Sequence, residues 1–238
     1  MVKGTNMLYK IDISSQSLER IIHEAIEEFI CKDRVLLQRE LSERALCGAL
    51  MKRIYDVLAS KGFEDFKDYF VDVEFNRRYS NQKNTVKTTL GPSDTKKLND
   101  VKKIAPITQD DEKEVKKKLA RIFTDIIVHG RGVLKSELPD NLIAIEMKKK
   151  LRDTKCYNRE YVNLKNEDEN RLKKFTCNEE ELVKYFGYPE DDKSMVVYGY
   201  LLGVFIEIDY TNKNKNKCVK YSFYRHGKKY GEEKSIPF

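Results

Sequence analysis

A chain of 238 residues with 40% hydrophobic content is long enough to bury one sizeable core, which excludes wholesale disorder. The formal net charge is +7, from 46 basic against 39 acidic residues, a modest excess that favours a polyanionic partner. Cys31, Cys47, Cys156, Cys177 and Cys218 form no Cys-x-x-Cys pair and have only His23, His129 and His226 to join them, which argues against structural zinc and reads as reduced cytoplasmic thiols. The opening MVKGTNMLYKIDIS has no apolar core of signal-peptide length, and no run approaches a membrane span, so no membrane partner is expected.

Along the chain, Ser17 to Ile30 repeats apolar residues at Leu18, Ile21, Ile22, Ala25, Ile26, Phe29 and Ile30, a helical spacing. Leu41 to Ser60 predicts a longer helix with the stripe Leu46, Cys47, Leu50, Ile54, Val57 and Leu58, ended by Lys61-Gly62. Asp68 to Arg77 reads as a strand. The stretch 79–118, rich in Lys, Asn, Thr and Asp, breaks the pattern and is expected to be an insertion or mobile loop, with a short helix over Glu112 to Lys118. Two apolar strands around Asp125 and Glu146 follow, joined through Gly130-Arg-Gly132 and Leu138-Pro-Asp-Asn141. Leu164 to Thr176 and Glu179 to Phe186 look helical. Met195 to Asp209 reads as one long strand, and Cys218 to Arg225 pairs with it across an Asn/Lys-rich turn. There is no internal repeat. This order predicts an α/β domain with a mixed sheet, covering 1–238 as one unit.

The chemistry concentrates between Arg121 and Lys150. Strand residues alternate faces, so Glu146 and Lys148 share one face while Ile143, Ile145 and Met147 point the other way. Asp125, Ile127 and His129 share a side of the preceding strand. If the strands pair, two carboxylates and an ammonium converge at a sheet rim. Oxygen ligands of this kind suit Mg²⁺ or Mn²⁺, and an adjacent lysine positions or deprotonates water or steadies a phosphate charge. Glu-x-Lys also occurs at Glu114-Val-Lys116 and Glu232-Glu-Lys234, but only Glu146 follows a run like Leu142-Ile143-Ala144-Ile145. Glu43 falls within the stripe of the second helix, where a core-facing carboxylate needs a partner; the competing reading places it partly exposed in the first turn, favoured by the helix dipole. Glu40, nearby, is the alternative helix acid.

These residues resemble the PD-(D/E)XK nuclease superfamily, with its restriction-endonuclease-like fold of a mixed β-sheet flanked by helices. The resemblance rests on Asp72-Val-Glu-Phe-Asn-Arg77, Asp125-Ile-Ile-Val-His129 and Ile145-Glu-Met-Lys-Lys149, and covers roughly 36 to 210. Thr124 stands where the family often has proline, and the gap from Asp125 to Glu146 is long. The resemblance implies a Mg²⁺- or Mn²⁺-dependent hydrolase cutting phosphodiester bonds, with DNA as the expected substrate. The same resemblance implies Asp125, Glu146 and Glu43 as metal ligands, and Lys148 as the residue that orients water or stabilises the pentavalent state.

Glu74, Asn76 and Arg77 belong to the first of those motifs, and Arg77 suits either a carboxylate or phosphate. His129 caps its strand or joins the site. Arg131, in its glycine-flanked turn, is expected to face phosphate. Lys149, Lys150 and Arg152 follow the motif, and Lys173 and Lys174 sit on the next helix. Lys213, Lys215, Lys217, Lys220, Arg225, Lys228 and Lys229 interleave with Tyr221, Phe223, Tyr224 and Tyr230, a mix suited to backbone contact and base stacking. No helix-turn-helix or zinc finger is visible. The alternative function is a nucleic-acid- or protein-binding module, or a regulatory subunit inactive without a partner; a homodimer or an activating protein fits either reading.

Overall fold

In the computed structural model, residues 13–75, 124–132, 134, 139–151, 155–186, 198–211 and 217–238 are described. The expected insertion at 79–118 lies outside them. The described elements run α1 (Ser15–Lys32), α2 (Arg34–Gln38), α3 (Glu43–Leu58), a 3-10 turn (Glu64–Phe66), β1 (Phe70–Phe75), β2 (Thr124–His129) and β3 (Asn141–Lys150). They continue with α4 (Lys155–Phe175), α5 (Glu179–Phe186), β4 (Leu202–Asp209), β5 (Cys218–Arg225) and β6 (Lys228–Pro237). The fold is mixed α/β, as the element order predicts.

Six strands form one sheet in sequence order, β1 to β6. Every neighbouring pair is antiparallel except β3 and β4. A parallel pair cannot be joined by a tight turn, and here the chain between β3 and β4 carries α4 and α5. β4 is buried along its whole length, as is Leu142 to Met147 of β3, which is why these runs are apolar on both faces.

Each face is covered by different helices. Ile143, Ile145 and Met147 of β3, with Val204, Ile206 and Ile208 of β4, meet the stripes of α1 and α3. Those helices start where serine side chains satisfy open N–H groups: Ser14 Oγ accepts from Ser17 N–H at 3.3 Å, and Ser42 Oγ from Ala45 N–H at 3.3 Å. Leu18, Ile21, Phe29, Leu46, Leu50 and Ile54 are fully buried, each worth about 1.5–3 kcal/mol of transfer free energy. The opposite face has a smaller apolar cluster, Ile127, Ala144 and Phe205 under Leu172 and Phe175 of α4.

Three boundaries differ from expectation. β4 begins at Leu202, because Gly199 at φ +81° turns the chain just before it. α4 starts at Lys155, well before Leu164. β6 is an added strand, joined to β5 by His226 and Gly227, both at positive φ (48° and 71°), the geometry of a two-residue hairpin turn. Among the described residues no helix is long and apolar enough to cross a membrane, and Cys31, Cys47, Cys177 and Cys218 are free thiols.

Candidate functional site

The site begins where the β2–β3 ladder ends. Its last paired residues are Ile126 and Ile145, and β3 runs on to Lys150. Backbone N–H groups beyond that point need acceptors, and two carboxylates supply them. Asp125 Oδ2 accepts from Met147 N–H at 2.7 Å, and Glu43 Oε1 accepts from Lys149 N–H at 2.9 Å. Elements distant in sequence are thus fastened to one end of β3, each by one oxygen of a carboxylate.

Glu43 is the first residue of α3, beside its Ser42 cap, where the helix dipole favours negative charge. Its side chain is 40% exposed. The core-facing placement suggested by the stripe is therefore corrected: the stripe closes over only from Leu46 onward. Glu40 does not share the site. It takes a left-handed φ of 53°, and its carboxylate accepts from Lys217 Nζ at 2.9 Å.

Glu146 and Lys148 share the face beneath α4. Glu146 is wholly buried, and the Arg171 fork holds both its oxygens, Nε to Oε1 at 3.0 Å and Nη2 to Oε2 at 3.2 Å. Arg171 also pairs with Asp168 one turn back along α4. Lys148 Nζ lies 3.0 Å from Asp168 Oδ2 and 3.8 Å from Glu43 Oε2. The ion pairs run continuously from Glu43 through Lys148, Asp168 and Arg171 to Glu146.

Burial shapes the charge states. It pushes the Asp125 carboxyl above the ordinary carboxylate range, an effect opposed by the Met147 N–H and Lys148 and reinforced by Asp168 and Glu43. Glu146 is pushed up by the same desolvation, only partly countered by Arg171. Burial works against the Lys148 ammonium, but Asp168, Glu43 and Asp125 outweigh it and hold Lys148 above its usual value. Lys148 is therefore a cation that orients or neutralises rather than a base. Cys47, 3.8 Å from Met147 Sδ by its Sγ, is kept a neutral thiol by burial and by the surrounding Asp125, Glu43 and Glu146.

The remaining expected residues are dispersed. Arg77 and Asn76 lie outside the described residues, as do Arg152, Lys213 and Lys215. Arg131 donates Nε to Asp72 Oδ2 at 2.9 Å and sits 4.3 Å from the Phe70 ring centroid, so its guanidinium is engaged within the fold. His129 is buried with Nε2 2.8 Å from the same Asp72 oxygen, at the far end of β2 from Asp125. Lys149 turns to the other face and donates Nζ to the Glu40 and Leu41 carbonyls at 2.6 and 2.5 Å, fastening the turn before α3. Lys150 Nζ stands 3.9 Å from Asp209 Oδ2. Lys173 and Lys174 are half-buried in the last turn of α4.

Sequence reasoning missed Asp168 and Arg171. Asp168 lies four residues before the buried Leu172, and Arg171 four before the buried Phe175, so both fall on the apolar stripe of α4. The test that singled out Glu43, a charge on a stripe, finds them too. A neighbouring group was also missed: Glu207, buried, accepts from Tyr161 Oη at 2.6 Å and Lys165 Nζ at 2.8 Å, with Lys220 bridging to Asp209.

As metal donors the carboxylates are of the right kind, being hard oxygens. Among the described residues, Glu43, Asp125, Glu146 and Asp168 stand against the cations Lys148 and Arg171, a formal excess of two negative charges within that group. Among the described residues Asp168 Oδ2 accepts no well-directed hydrogen bond, although the Lys148 ammonium stands 3.0 Å away. The present spacing does not fit, however. Both Glu146 oxygens are taken by Arg171, and among the described residues no three His, Cys, Asp or Glu side chains are grouped to hold a metal ion. No protein-family model matches this chain, and neither a curated protein nor a solved structure does.

Proposed function

We propose that the chain is a metal-dependent nuclease of the PD-(D/E)XK type, acting on phosphodiester bonds, with DNA as the substrate. One observation carries the reading: Glu43, Asp125, Glu146 and the Lys148 ammonium meet at one end of β3 from three separate elements. Buried like charges are costly to assemble, and a fold that needs only stability replaces them with apolar side chains at no loss. Lys148, held cationic, is suited to a phosphate oxygen or to the charge that develops as the bond breaks. The oxygens of Asp125 and Glu43 that are not bonded to the β3 backbone are hard donors of the kind Mg²⁺ or Mn²⁺ takes, and the reading requires Glu146 to part from Arg171. Lys150, Lys173 and Lys174 are the basic residues offered to the nucleic-acid backbone.

A second reading has its own support. Glu43, Asp168 and Glu146 are each paired with a cation of the chain itself, which suits a binding module or a subunit awaiting an activating partner or a second copy. Cleavage of plasmid, linear duplex, single-stranded DNA and RNA by wild type and Glu146→Ala, with Mg²⁺, Mn²⁺ or EDTA, separates the two. Metal-dependent cutting lost in the variant supports the nuclease and names its substrate. Absence of cutting on every substrate favours the binding module.

A further inference from the structure

We infer that the tip of the β5–β6 hairpin and the end of α5 form a stacking platform for a single-stranded polynucleotide. Tyr185 and Tyr230 are its rings, and Arg225, Lys228 and Lys184 its cations. The inference goes beyond the cleavage reading above, since it names the strandedness of the partner and does not depend on turnover. In the structure the interleaved basic and aromatic residues of β5 and β6 divide into two groups. Tyr221, Phe223 and Tyr224 are buried and belong to the core, whereas Tyr230 is 47% exposed and Tyr185, on α5, is 41% exposed.

Arg225 and Lys228 face each other across the last rung of the hairpin, and each reaches a different ring. Arg225 Cζ stands 5.5 Å from the Tyr230 centroid, and Lys228 Nζ 5.3 Å from the Tyr185 centroid. Lys184 Nζ lies 5.5 Å from that second ring. Gly227 seats the turn against α5: an added Cβ would stand 2.7 Å from Cys177 Sγ and 3.4 Å from the Tyr185 ring. The rung and the seated turn tie both rings to one tip. Among the described residues none of the three cations has a carboxylate within ion-pair reach, and Arg225 Nε is a buried N–H without an acceptor. Glu181, which reaches the turn, is engaged by His226 Nδ1 at 3.3 Å and by the Asn178 N–H at 2.9 Å.

A nucleotide with an unpaired base presents one flat π face and one phosphate charge, and a ring beside a cation matches both. A duplex hides its base faces within the stack, so only a single strand uses the rings. Arg225 lies three residues beyond Ser222, which is in register with Glu146 through Phe205. The platform is therefore about 10 Å along β5 from the row of Glu146, close enough for one strand to reach both.

The test is fluorescence anisotropy of a labelled oligothymidylate of about twelve nucleotides, its oligouridylate counterpart and a duplex of equal length. The full chain is titrated in EDTA, where no metal-dependent cutting occurs. Wild type is expected to bind the single strands more tightly than the duplex, and the better-bound strand names the sugar. Tyr185→Ala and Tyr230→Ala each weaken that binding by about tenfold, the scale of one base stacked on one ring. Tyr230→Phe, which keeps the ring, binds like wild type, as does Tyr55→Ala, which removes an exposed ring on α3. Arg225→Gln and Lys228→Gln each lower the slope of log affinity against log salt by about 0.7, one phosphate contact on a single strand. Preference for the duplex, no binding to either single strand, or equal binding by wild type, Tyr185→Ala and Tyr230→Ala overturns the inference. So does a loss in Tyr230→Phe equal to that in Tyr230→Ala, or variant-sensitive attachment to phosphatidylserine vesicles in place of the oligonucleotides. Because EDTA removes cleavage, these outcomes leave the nuclease reading where it stands, and a chain that never cuts DNA still binds through this platform.

Discussion

The two faces of the sheet are made by the same strands and carry opposite chemistry. Under α1 and α3, β3 to β5 present Ile143, Ile145, Met147, Val204, Ile206, Ile208, Val219, Tyr221 and Phe223 without a buried carboxylate among them. Under α4, alternate residues of the same strands include Glu146, Lys148, Glu207, Asp209, Lys220 and Ser222. One face repays burial at every position, whereas the other desolvates charges and must offset each by a partner. The charges of the α4 face gather toward one end of β3 and β4, in contrast to the apolar α1/α3 face of the same strands.

If the faces divide labour in this way, substitutions on each should separate stability from activity. Ile143→Ala, on the α3 face, is expected to cost about 2–5 kcal/mol in chemical denaturation and to leave cleavage per folded molecule unchanged; a loss of cleavage by the folded fraction breaks the division. Lys148→Ala, on the α4 face, is expected to lower kcat by about 10²- to 10³-fold, the size of removing one preorganised electrostatic contact, while Mn²⁺ binding survives. Calorimetry alongside steady-state kinetics checks both halves.

Most of the apolar face was legible in sequence and much of the polar face was not. The stripes of α1 and α3 and the runs of β3 and β4 follow from period alone, since each residue type there reports its own burial. Glu146 and Lys148 were legible because they end such a run. Asp168 and Arg171 were overlooked although the same test reaches them, because on a helix this polar a charge on the buried stripe stands out only once Leu172 and Phe175 are taken to set the phase. β6 was missed for a related reason: nearly every residue is exposed, so it lacks alternation, and only Gly227 in its turn announced it. Glu43 was located at the right helix but turned too far inward.

Two smaller effects sharpen the same comparison. Ser42→Ala removes the cap of the helix that carries Glu43, with an expected loss of about 1 kcal/mol in thermal unfolding and a weaker anchoring of Lys149 N–H. Asp209 gives a pH signature. Burial opposes its charge, but Lys220 and Thr211 outweigh burial and hold its pKa at about 2. That lies below the unfolded value of about 3.9, so its stabilisation is fully present above that value and is lost as pH falls through about 2. Denaturation midpoints between pH 5 and pH 2, on the order of the window this linkage spans, should fall less steeply in Asp209→Asn than in wild type.

The most direct measurement is an anomalous difference map from crystals soaked in MnCl₂. The account predicts a peak bonded to Asp125 and Glu146 at about 2.0–2.2 Å, an oxygen–metal distance for a small divalent cation, with Arg171 turned away from Glu146. A map without density there, and with the Arg171–Glu146 pair intact, would contradict it.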